Sequence, residues 1–518
     1  MLYVLLSLHK HSSPAPLSFS SSSSPIKSDQ MGSNKSNNNI DNGAAASFRE
    51  EAPPSLFLFL VMKSGELIGI DLSGSGEGEI SHPPPYAPIR VSLDLQNYTK
   101  YNYPIGMRHF KLGGKHYLCG GALKPYYRYV GPADDFSDKV FHLHLDTNPT
   151  TVIKDPQALL NPIPTPRLLE PKFPRIVAHI KGSVYLLHGG FWFDSFPCMR
   201  HVPTPKVPFE RLDLNENVYV DVDVDVDVPP FSCHQLPPPP WITTWSNMVP
   251  FDYPIHNHFV FDDKLVICCP SPNYILTFTP SDAPDDGAGG GKWSYHEYSP
   301  VYSFFQQLKL NGLSLPATGL YLPEFCVAGG GDDDGDSLGV LLAIDWVVCD
   351  DLADDDDVAA YMDSSFTIYA YAISKTTFQP KFMQILDDQV FFDILPDPHP
   401  GPTTNPLIGP TGSHHLLDLG KGDEEGARRI CAILAADCFD RMPCLFVSIF
   451  DVRINNDNNA PAAAAADDDD DDDADSDFVT HNFNFLSVSP PIKKLAFRMD
   501  MERGFMFDSN PVLDAFFI

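Results

Sequence analysis

Hydrophobic and polar residues alternate over residues 175–180, and this period of two predicts a β-strand. Residues 181–183 follow, and the central Gly182 permits a tight turn. Residues 184–187 then form a short apolar run, which is typical of a strand buried on both faces, and a glycine doublet ends the segment. The pattern therefore predicts a β-hairpin. Because two strands alone are marginally stable in water, we expect further strands beside them.

The same pattern recurs along the chain. Six apolar runs, separated by 61 to 106 residues, end near Leu60, Gly121, Gly190, Cys269, Gly330 and Ala436. A second predicted strand that ends in a polar turn follows each run, and a third segment often carries prolines or an aromatic residue. Kelch repeats contain four strands in about 50 residues, and longer loops account for the wider spacing here. The pattern predicts an all-β fold of repeated four-stranded sheets.

The repeats share glycine doublets and one downstream tryptophan. The doublets are Gly120-Gly121, Gly189-Gly190 and Gly329-Gly330, each after an apolar run, and the tryptophan is Trp293. In these features the chain resembles plant kelch-repeat β-propellers, including the galactose-oxidase-like propellers. The resemblance covers most of residues 55–499 and implies six four-stranded blades, with five or seven as alternatives because three runs lack the doublet. No F-box-like helix precedes the first repeat, so the ubiquitin-ligase arrangement of some plant kelch proteins is not expected.

The first repeat begins directly with its apolar run and lacks the strand that precedes the run in other repeats. Residues 494–499, near the other end of the chain, could supply that strand. Pairing the N- and C-terminal strands in one blade would remove the open edge of an incomplete ring. We therefore predict a propeller over residues 55–500, closed by these strands, and a C-terminal tail at residues 501–518 that packs on it.

The first 54 residues are rich in serine and asparagine and contain little to bury, so we expect a disordered tail. The serine-rich, acid-poor stretch up to Lys27 leaves chloroplast targeting open. Gly32 fits an N-myristoylation pattern that would act only if translation started at Met31. Without either signal we expect a soluble cytoplasmic or nuclear protein, since no apolar segment approaches the ~20 residues of a transmembrane helix.

The chain is strongly acidic: 35 Lys and Arg residues stand against 68 Asp and Glu residues, a formal net charge of −33. This balance argues against a nucleic-acid partner. Much of the excess lies in four low-complexity insertions that we predict as solvated loops, residues 218–228, 331–337, 350–357 and 458–477. The aspartates of the first insertion would lie about 6.5–7 Å apart on a strand, and calcium ligands lie about 2.3–2.6 Å from the ion. Neighbouring aspartates there are therefore poorly placed to chelate calcium.

The residues that commonly bind metals do not form a convincing site. Ten cysteines occur without a C-x-x-C pair, so we expect reduced, mostly buried thiols. Paired histidines stand at His142 and His144, His256 and His258, and His414 and His415, each without an evident third ligand. P-loop and H-E-x-x-H motifs are absent, as is the iron-binding E-x-x-x-D-x-x-x-H spacing of plant kelch proteins that steer glucosinolate breakdown. We expect no cofactor and no metal, and assign no catalytic residue.

The candidate binding residues lie in connections that should leave one side of the predicted disc. They are Tyr126, Tyr127, Arg128, Tyr129, Trp192, Phe193, Arg200, Trp241 and Trp245. Tyr, Trp and Arg are enriched at interface hot spots, although these side chains could instead cover the rims of adjacent blades. We predict a monomeric, non-catalytic scaffold whose loop face binds another protein or a peptide. The alternative is an enzyme or small-molecule binder that uses the central channel.

Overall fold

The computed structural model describes residues 57–62, 67–72, 89–91, 106–121, 123, 136–143, 160–162, 166–188, 205–215, 230–240, 257–269, 274–281, 290–297, 317–328, 337–347, 365–378, 380–386, 412–437, 443–455, 484–498 and 512–517. All of these residues belong to the compact unit formed by residues 53–518. The predicted N-terminal tail lies outside the described residues. Within the described ranges the regular secondary structure is almost entirely β-strand.

The strands form six sheets, which we call blades 1 to 6. Blade 1 contains β1 (Phe57–Met62), β2 (Leu67–Asp71), β3 (Ile89–Val91) and the last strand, β26 (Val512–Phe517), in the order β26-β1-β2-β3. Blade 2 contains β4 (Arg108–Leu112), β5 (Lys115–Cys119), β6 (Val140–Leu143) and β7 (Leu160–Pro162). Blade 3 contains β8 (Pro174–Ile180), β9 (Ser183–His188), β10 (Phe209–Leu214) and β11 (Phe231–Gln235).

The remaining blades follow in chain order. Blade 4 contains β12 (Asn257–Phe261), β13 (Lys264–Cys269), β14 (Tyr274–Pro280), β15 (Gly291–Glu297) and the short β16 (Ala317–Thr318). Blade 5 contains β17 (Leu320–Ala328), β18 (Ser337–Val347), β19 (Ser365–Ser374) and β20 (Pro380–Leu386). Blade 6 contains β21 (Gly412–Lys421), β22 (Arg428–Asp437), β23 (Pro443–Ile454), β24 (Leu486–Val488) and β25 (Lys493–Arg498).

The innermost strands identify the architecture. The strand β4 contacts β8, β8 contacts β12, β12 contacts β17, β17 contacts β21, β21 contacts β26, and β26 contacts β4. These six strands therefore surround a common axis, and successive strands pair antiparallel outward from each of them. Two departures occur: β16 pairs in parallel with the inner edge of β12, and β24 and β25 both pair with β23. Radially arranged four-stranded sheets around a central channel define a β-propeller. The prediction of an all-β propeller with six blades is confirmed.

Apolar side chains fill the space between blades, and β22 shows why its sequence is a continuous apolar run. Alternate residues of a strand point to opposite faces of the sheet. Cys431, Ile433 and Ala435 pack against blade 1, whereas Ala432 and Leu434 pack against blade 5. Because both faces are buried, neither set of positions can be polar. Truncation of a fully buried leucine such as Leu434 to alanine typically costs about 2–5 kcal/mol.

The C-terminal strand of blade 1 is not the segment that the sequence predicted. Residues 494–499 largely coincide with β25, which pairs with β23 and continues the outer edge begun by β24. The strand β26 pairs with β1 instead, with Leu58 opposite Phe517 and Val61 opposite Asp514. An aspartate in the middle of β26 interrupts its apolar pattern. The sequence pattern therefore favoured the neighbouring segment.

Blade 5 also differs from the predicted repeat in one respect. The apolar run that ends near Gly330 is the innermost strand, β17, whereas the corresponding runs of the other blades are second strands. Leu322, Phe325 and Val327 of β17 are buried between blades 5 and 6, which explains the apolar composition. The second strand, β18, follows the acidic insertion.

Candidate functional site

The predicted binding residues all lie outside the described residues. They are Tyr126, Tyr127, Arg128, Tyr129, Trp192, Phe193, Arg200, Trp241 and Trp245. The described chain nevertheless includes residues at or close to the two ends of each segment. These are Gly121 and Phe136 for the first segment, His188 and Lys206 for the second, and Pro240 and Asn257 for the third. We call these ends the segment roots, and their contacts show how the fold positions the predicted face.

The root of the segment with Tyr126–129 is held by backbone hydrogen bonds. The N–H of Gly120 donates to the carbonyl of Lys139 at 3.1 Å, and the N–H of Ser137 donates to that of Gly121 at 2.9 Å. The connection between blades 2 and 3 joins the same root through two further hydrogen bonds. The N–H of Gly121 donates to the carbonyl of Lys172 at 3.1 Å, and the N–H of Lys172 donates to the carbonyl of Ser137 at 3.2 Å.

The root of the segment that contains Trp192, Phe193 and Arg200 is tied to the same connection. The N–H of Val207 donates to Glu170 Oε2 at 3.0 Å, and Lys172 Nζ donates to the carbonyl of Val207 at 2.7 Å. Two of the predicted binding segments therefore begin and end beside one ordered stretch, residues 166–174.

A buried ion pair lies at the centre of these roots. Lys172 Nζ is 2.8 Å from Glu210 Oε1, and neither side chain is exposed to solvent. The backbone N–H of Leu169 donates to the other carboxylate oxygen of Glu210 at 2.9 Å. Burial raises the pKa of Glu210 above its ordinary value, and the charge of Lys172 opposes that shift. The pair thus links the connection between blades 2 and 3 to β10 through groups that bulk water does not reach.

The third segment, which contains Trp241 and Trp245, starts from a root on blades 3 and 4. The N–H of Leu236 donates to the carbonyl of Phe209 at 3.0 Å. The indole Nε1 of Trp293 donates to the carbonyl of Pro237 at 2.9 Å, and its ring lies 5.4 Å from that of Phe209. The tryptophan of the predicted repeat therefore fixes the path of the chain between these two blades.

A second group of residues lies where the innermost strands begin. Arg108 is the first residue of β4, Arg175 the second of β8, His258 the second of β12 and His415 the fourth of β21. The innermost strands of a propeller run in the same direction, so their N-terminal ends meet at one mouth of the channel. We call these four residues, together with Asp514 of β26, the channel-mouth cluster.

The pKa of His258 is strongly shifted. Desolvation by the surrounding protein, together with smaller electrostatic contributions from Arg108, Arg175 and His415, lowers it to about 3. These residues belong to four different blades. His258 is consequently neutral at neutral pH and can donate a hydrogen bond from one ring nitrogen and accept one at the other.

Asp514 connects this cluster to the first blade. Its carboxylate oxygen Oδ2 lies 3.5 Å from Arg108 Nε and accepts a hydrogen bond from the N–H of His109 at 3.2 Å. Burial raises the pKa of Asp514, while Arg108 opposes the shift. Among the described residues, Arg108 Nε has no partner in hydrogen-bond geometry.

A histidine pair packs beside β26. His109 Nε2 and His116 Nδ1 share a hydrogen bond of 3.0 Å, and the ring of Phe516 stacks on His109 with 3.6 Å between centroids. Burial lowers the pKa of both histidines, that of His116 to about 4. Two neutral imidazoles and a phenyl ring therefore add an aromatic contact between β26 and blade 2 to the polar contacts of Asp514.

The structure also bears on the other chemical candidates. No group of three or more potential metal ligands occurs among the described residues. Of the paired histidines, His142 lies beside the ring of Tyr117, whereas His144 and His256 fall outside the described part of the chain. The acidic insertions at residues 218–228, 331–336, 350–357 and 458–477 also fall outside it. His414 and His415 are both buried in β21. As adjacent strand residues, these two point to opposite faces and cannot act as a simple chelating pair.

The described thiols are poor nucleophiles where they are buried. Burial raises the pKa of Cys119 and Cys431 strongly and that of Cys233 to about 12, so these thiols stay protonated at neutral pH. Cys326 is exposed. Of these four cysteines, Cys119 and Cys431 are buried, whereas Cys233 is half-buried and Cys326 exposed, so burial holds for two of the four.

One catalytic spacing was overlooked in the sequence. Residues 335–339 read Gly-Asp-Ser-Leu-Gly and match the G-x-S-x-G pattern. In α/β-hydrolases this serine occupies a sharp strand-to-helix turn. Ser337 instead begins β18, where it pairs with Ala328 of β17. The spacing therefore does not form a nucleophile elbow here.

Sequence reasoning also missed the channel-mouth cluster. Its members are far apart in the chain and share no motif. The available signal was the recurrence of Arg or His at the first positions of predicted inner strands, as in Arg108, Arg175 and His258. That signal gains meaning only when the blades are known to surround an axis.

Comparison with known proteins does not supply a family. Neither protein-family models nor curated protein sequences match this chain. Among the residues that the structure describes, no helix has the length and apolar character needed to cross a membrane.

Proposed function

We propose that this chain is a kelch-type propeller that acts as a non-catalytic scaffold and binds another protein or a peptide through one loop face. The face would consist of the three segments that contain Tyr126–129, Trp192 to Arg200, and Trp241 to Trp245. The protein would act as a monomer in the cytoplasm or nucleus. This proposal rests on the fold together with the arrangement of the segment roots.

The observation that carries the proposal is the linkage between two of the roots. Lys172 accepts from Gly121 at one root and donates from its side chain to Val207 at the other. Both aromatic segments therefore start from one ordered and buried frame. Loops held at fixed ends lose less conformational entropy when they bind, which favours affinity.

The side chains on these segments suit a protein partner. Tyrosine, tryptophan and arginine dominate the binding energy of many interfaces because they combine a large apolar surface with a polar group. In the first segment Arg128 stands between Tyr127 and Tyr129, with Tyr126 one position earlier. In the second segment Trp192 comes two positions after the glycine doublet at residues 189–190. The glycine doublets support the kelch assignment. In the doublet of blade 2, Gly120 and Gly121 have positive φ angles of 67° and 92°.

The test is affinity capture from the native tissue with the full chain as bait. Wild type and a Tyr127→Ala/Trp192→Ala variant are compared by quantitative mass spectrometry of the captured proteins. A Tyr295→Ala variant is the matched control, since Tyr295 is an exposed aromatic residue on the outer strand β15. We expect partners enriched by wild type and by the control to be lost from the double variant, with an unchanged melting temperature.

The opposite result is equally clear. If the double variant captures the same proteins at wild-type strength, the loop face is not the binding surface. If it loses them only together with a fall in melting temperature, the aromatic residues cover the blade rims and the proposal fails.

A further inference from the structure

Aromatic rings join the last strand, β26, to both of its neighbouring blades. The ring of Phe516 stacks on His109 of β4, with 3.6 Å between centroids, and on Phe59 of β1, with 5.5 Å between centroids. His116 of β5 extends the stack, because its Nδ1 lies 3.0 Å from His109 Nε2. Both histidines are buried. The contact between β26 and blade 2 therefore includes two imidazoles that are largely shielded from water.

The hydrogen bond between the two imidazoles limits how many protons the pair can hold. A neutral imidazole has one N–H donor and one acceptor nitrogen, whereas an imidazolium has two donors. A first added proton still leaves one donor and one acceptor between His109 Nε2 and His116 Nδ1. A second makes both nitrogens donors and places like charges 3.0 Å apart in a buried site. The doubly protonated pair is therefore incompatible with the observed contact.

We propose that the His109–His116 pair is a pH-sensitive switch, in which acidification releases β26 from blades 1 and 2 while the other blades remain folded. The strand β26 contacts the inner strands of blades 2 and 6, β4 and β21, so its release would interrupt the ring of inner strands. This switch is separate from the proposed protein-binding face and does not depend on it.

Most of the charged groups around the pair disfavour its protonation. Burial is the largest cause that lowers the pKa of both histidines, and with the nearby basic groups it lowers that of His116 to about 4. The strand β1 brings no charged side chain to the stack. The basic groups that lower one or both pKa values are Arg108 and Lys111 on β4, His142 on β6 and His179 on β8.

Asp514 of β26 is a carboxylate beside the pair, and it acts in the opposite sense. Its Oδ2 accepts a hydrogen bond from the backbone N–H of His109 at 3.2 Å and lies 3.5 Å from Arg108 Nε. Burial raises the pKa of Asp514, so this group holds a proton more readily in the closed protein than in a released strand. Asp514 therefore offsets part of the proton uptake that accompanies release.

The direction of the pH effect follows from the difference between the closed and released states. A released histidine has an ordinary pKa of about 6.5, whereas the pKa of His116 in the closed state is about 4. Between these pH values the released state binds protons that the closed state does not, so release becomes more favourable as pH falls. The equilibrium constant for release should rise by about 10-fold per pH unit for each histidine that takes up a proton.

Hydrogen–deuterium exchange of the full chain, measured by mass spectrometry from pH 7.5 to 4.5, tests this proposal. Exchange is corrected for the intrinsic pH dependence of amide rates, which isolates the opening equilibrium. Peptides that contain residues 512–517 and 57–62 are compared with one from β22. We expect the protection of the first two to fall in acid by about 10-fold or more per pH unit, while β22 stays protected.

Three variants identify the groups responsible. His116→Gln removes one titrating group and keeps a polar side chain, so it should remove about one proton from the pH dependence. Asp514→Asn removes the opposing carboxylate and keeps an acceptor oxygen for the N–H of His109, so it should make the acid loss of protection steeper. This variant also serves if His116→Gln fails to fold. His296→Gln is the control, since this histidine bonds to Thr277 in blade 4 and should not affect β26.

Three outcomes would overturn the proposal. The first is constant protection of residues 512–517 from pH 7.5 to 4.5. The second is loss of their protection only together with that of β22, which would indicate global unfolding in acid. The third is the same pH dependence for His116→Gln and His296→Gln, which would show that the histidine pair does not control the strand.

Discussion

Lys172 and Glu210 form an ion pair that is completely shielded from solvent, with 2.8 Å between Nζ and Oε1. Burying two charges costs free energy that their attraction only partly offsets. The significance of the pair therefore lies in its position. It fixes the connection between blades 2 and 3 against β10, next to described residues that flank two of the predicted binding segments.

Replacing Lys172 by methionine should destabilise the protein strongly. The change leaves the carboxylate of Glu210 buried without its counter-charge, a situation that typically costs about 3–5 kcal/mol. Differential scanning calorimetry should show a markedly lower melting temperature. A Lys172→Met/Glu210→Met double variant should recover part of the loss because neither charge is then unpaired.

An exposed ion pair provides the control for this experiment. Arg453 and Glu424 are paired with 52% and 67% of their side chains exposed, and such pairs contribute about 0–1 kcal/mol. Arg453→Met should therefore have little effect. Equal melting temperatures for Arg453→Met and Lys172→Met would show that the buried pair is not needed for stability.

Gly120→Ala should be more destabilising than Gly182→Ala. Both glycines have positive φ, 67° and 81°, so alanine at either costs about 1–2 kcal/mol of backbone strain. A Cβ on Gly120 would also lie 2.5 Å from Pro174 Cδ and 2.8 Å from the carbonyl oxygen of Lys172, whereas one on Gly182 would meet nothing within 4 Å.

Urea denaturation measures the difference between the two glycine variants. Gly182→Ala should lose only the strain energy, and Gly120→Ala should lose additional stability because the root of the first binding segment must shift. If both variants lose the same free energy of unfolding, the close packing of Gly120 against the connection between blades does not constrain this root.

A chain that ends at residue 511 should melt at a much lower temperature than the full chain. The truncation removes β26 and exposes the edge of β1. It also removes the stacking of Phe516 on His109 and the contact of Asp514 with Arg108. The control lacks only residue 518, which lies beyond the last strand. An unchanged melting temperature for the longer truncation would mean that β26 contributes little to blade 1.

Acid should destabilise the fold below about pH 6.5, the ordinary histidine pKa. Burial lowers the pKa of His188, His258 and His414 to about 3. Between these pH values the unfolded chain binds protons that the folded chain does not, so the free energy of unfolding falls as pH falls. For a buried histidine such as His414 the loss approaches about 1.4 kcal/mol per pH unit.

Buried and paired carboxylates also change how the free energy of unfolding depends on pH. Burial raises the pKa of Glu210 and Asp514, so these groups favour the folded state as pH falls. The pKa of Asp451 is lowered, so this group makes the free energy of unfolding fall as pH falls, as the buried histidines do. Urea denaturation from pH 7.5 to 4.5 should show a shallower slope for His414→Gln than for wild type. Identical slopes would contradict a neutral buried His414.

The sequence allowed the architecture to be predicted because the apolar runs reflect blade packing. The centre of β22, from Ile430 to Ala435, is covered on both faces, so this stretch is entirely apolar and stands out from the polar turns. The third strands were found for the same reason, since each follows a run and ends in a polar turn. Six such units predicted six blades.

The errors have physical causes as well. The strand β26 was missed because Asp514, which contacts Arg108 across blades, interrupts its apolar pattern. The Lys172–Glu210 pair was missed because two charged residues in loop-like sequence usually indicate exposure, and only the tertiary structure brings them together. The aromatic binding segments stay a prediction, because they lie outside the described residues.

The pairing of β26 with β1 also constrains the order of synthesis and folding. Phe57–Met62 is made before the other five blades, whereas its inner neighbour, Val512–Phe517, is made after them. The hydrogen-bonding groups along one side of β1 must therefore wait until those blades have been synthesised. During this interval the nascent protein carries an apolar strand with one unpaired edge, and such an edge is prone to pair with another chain.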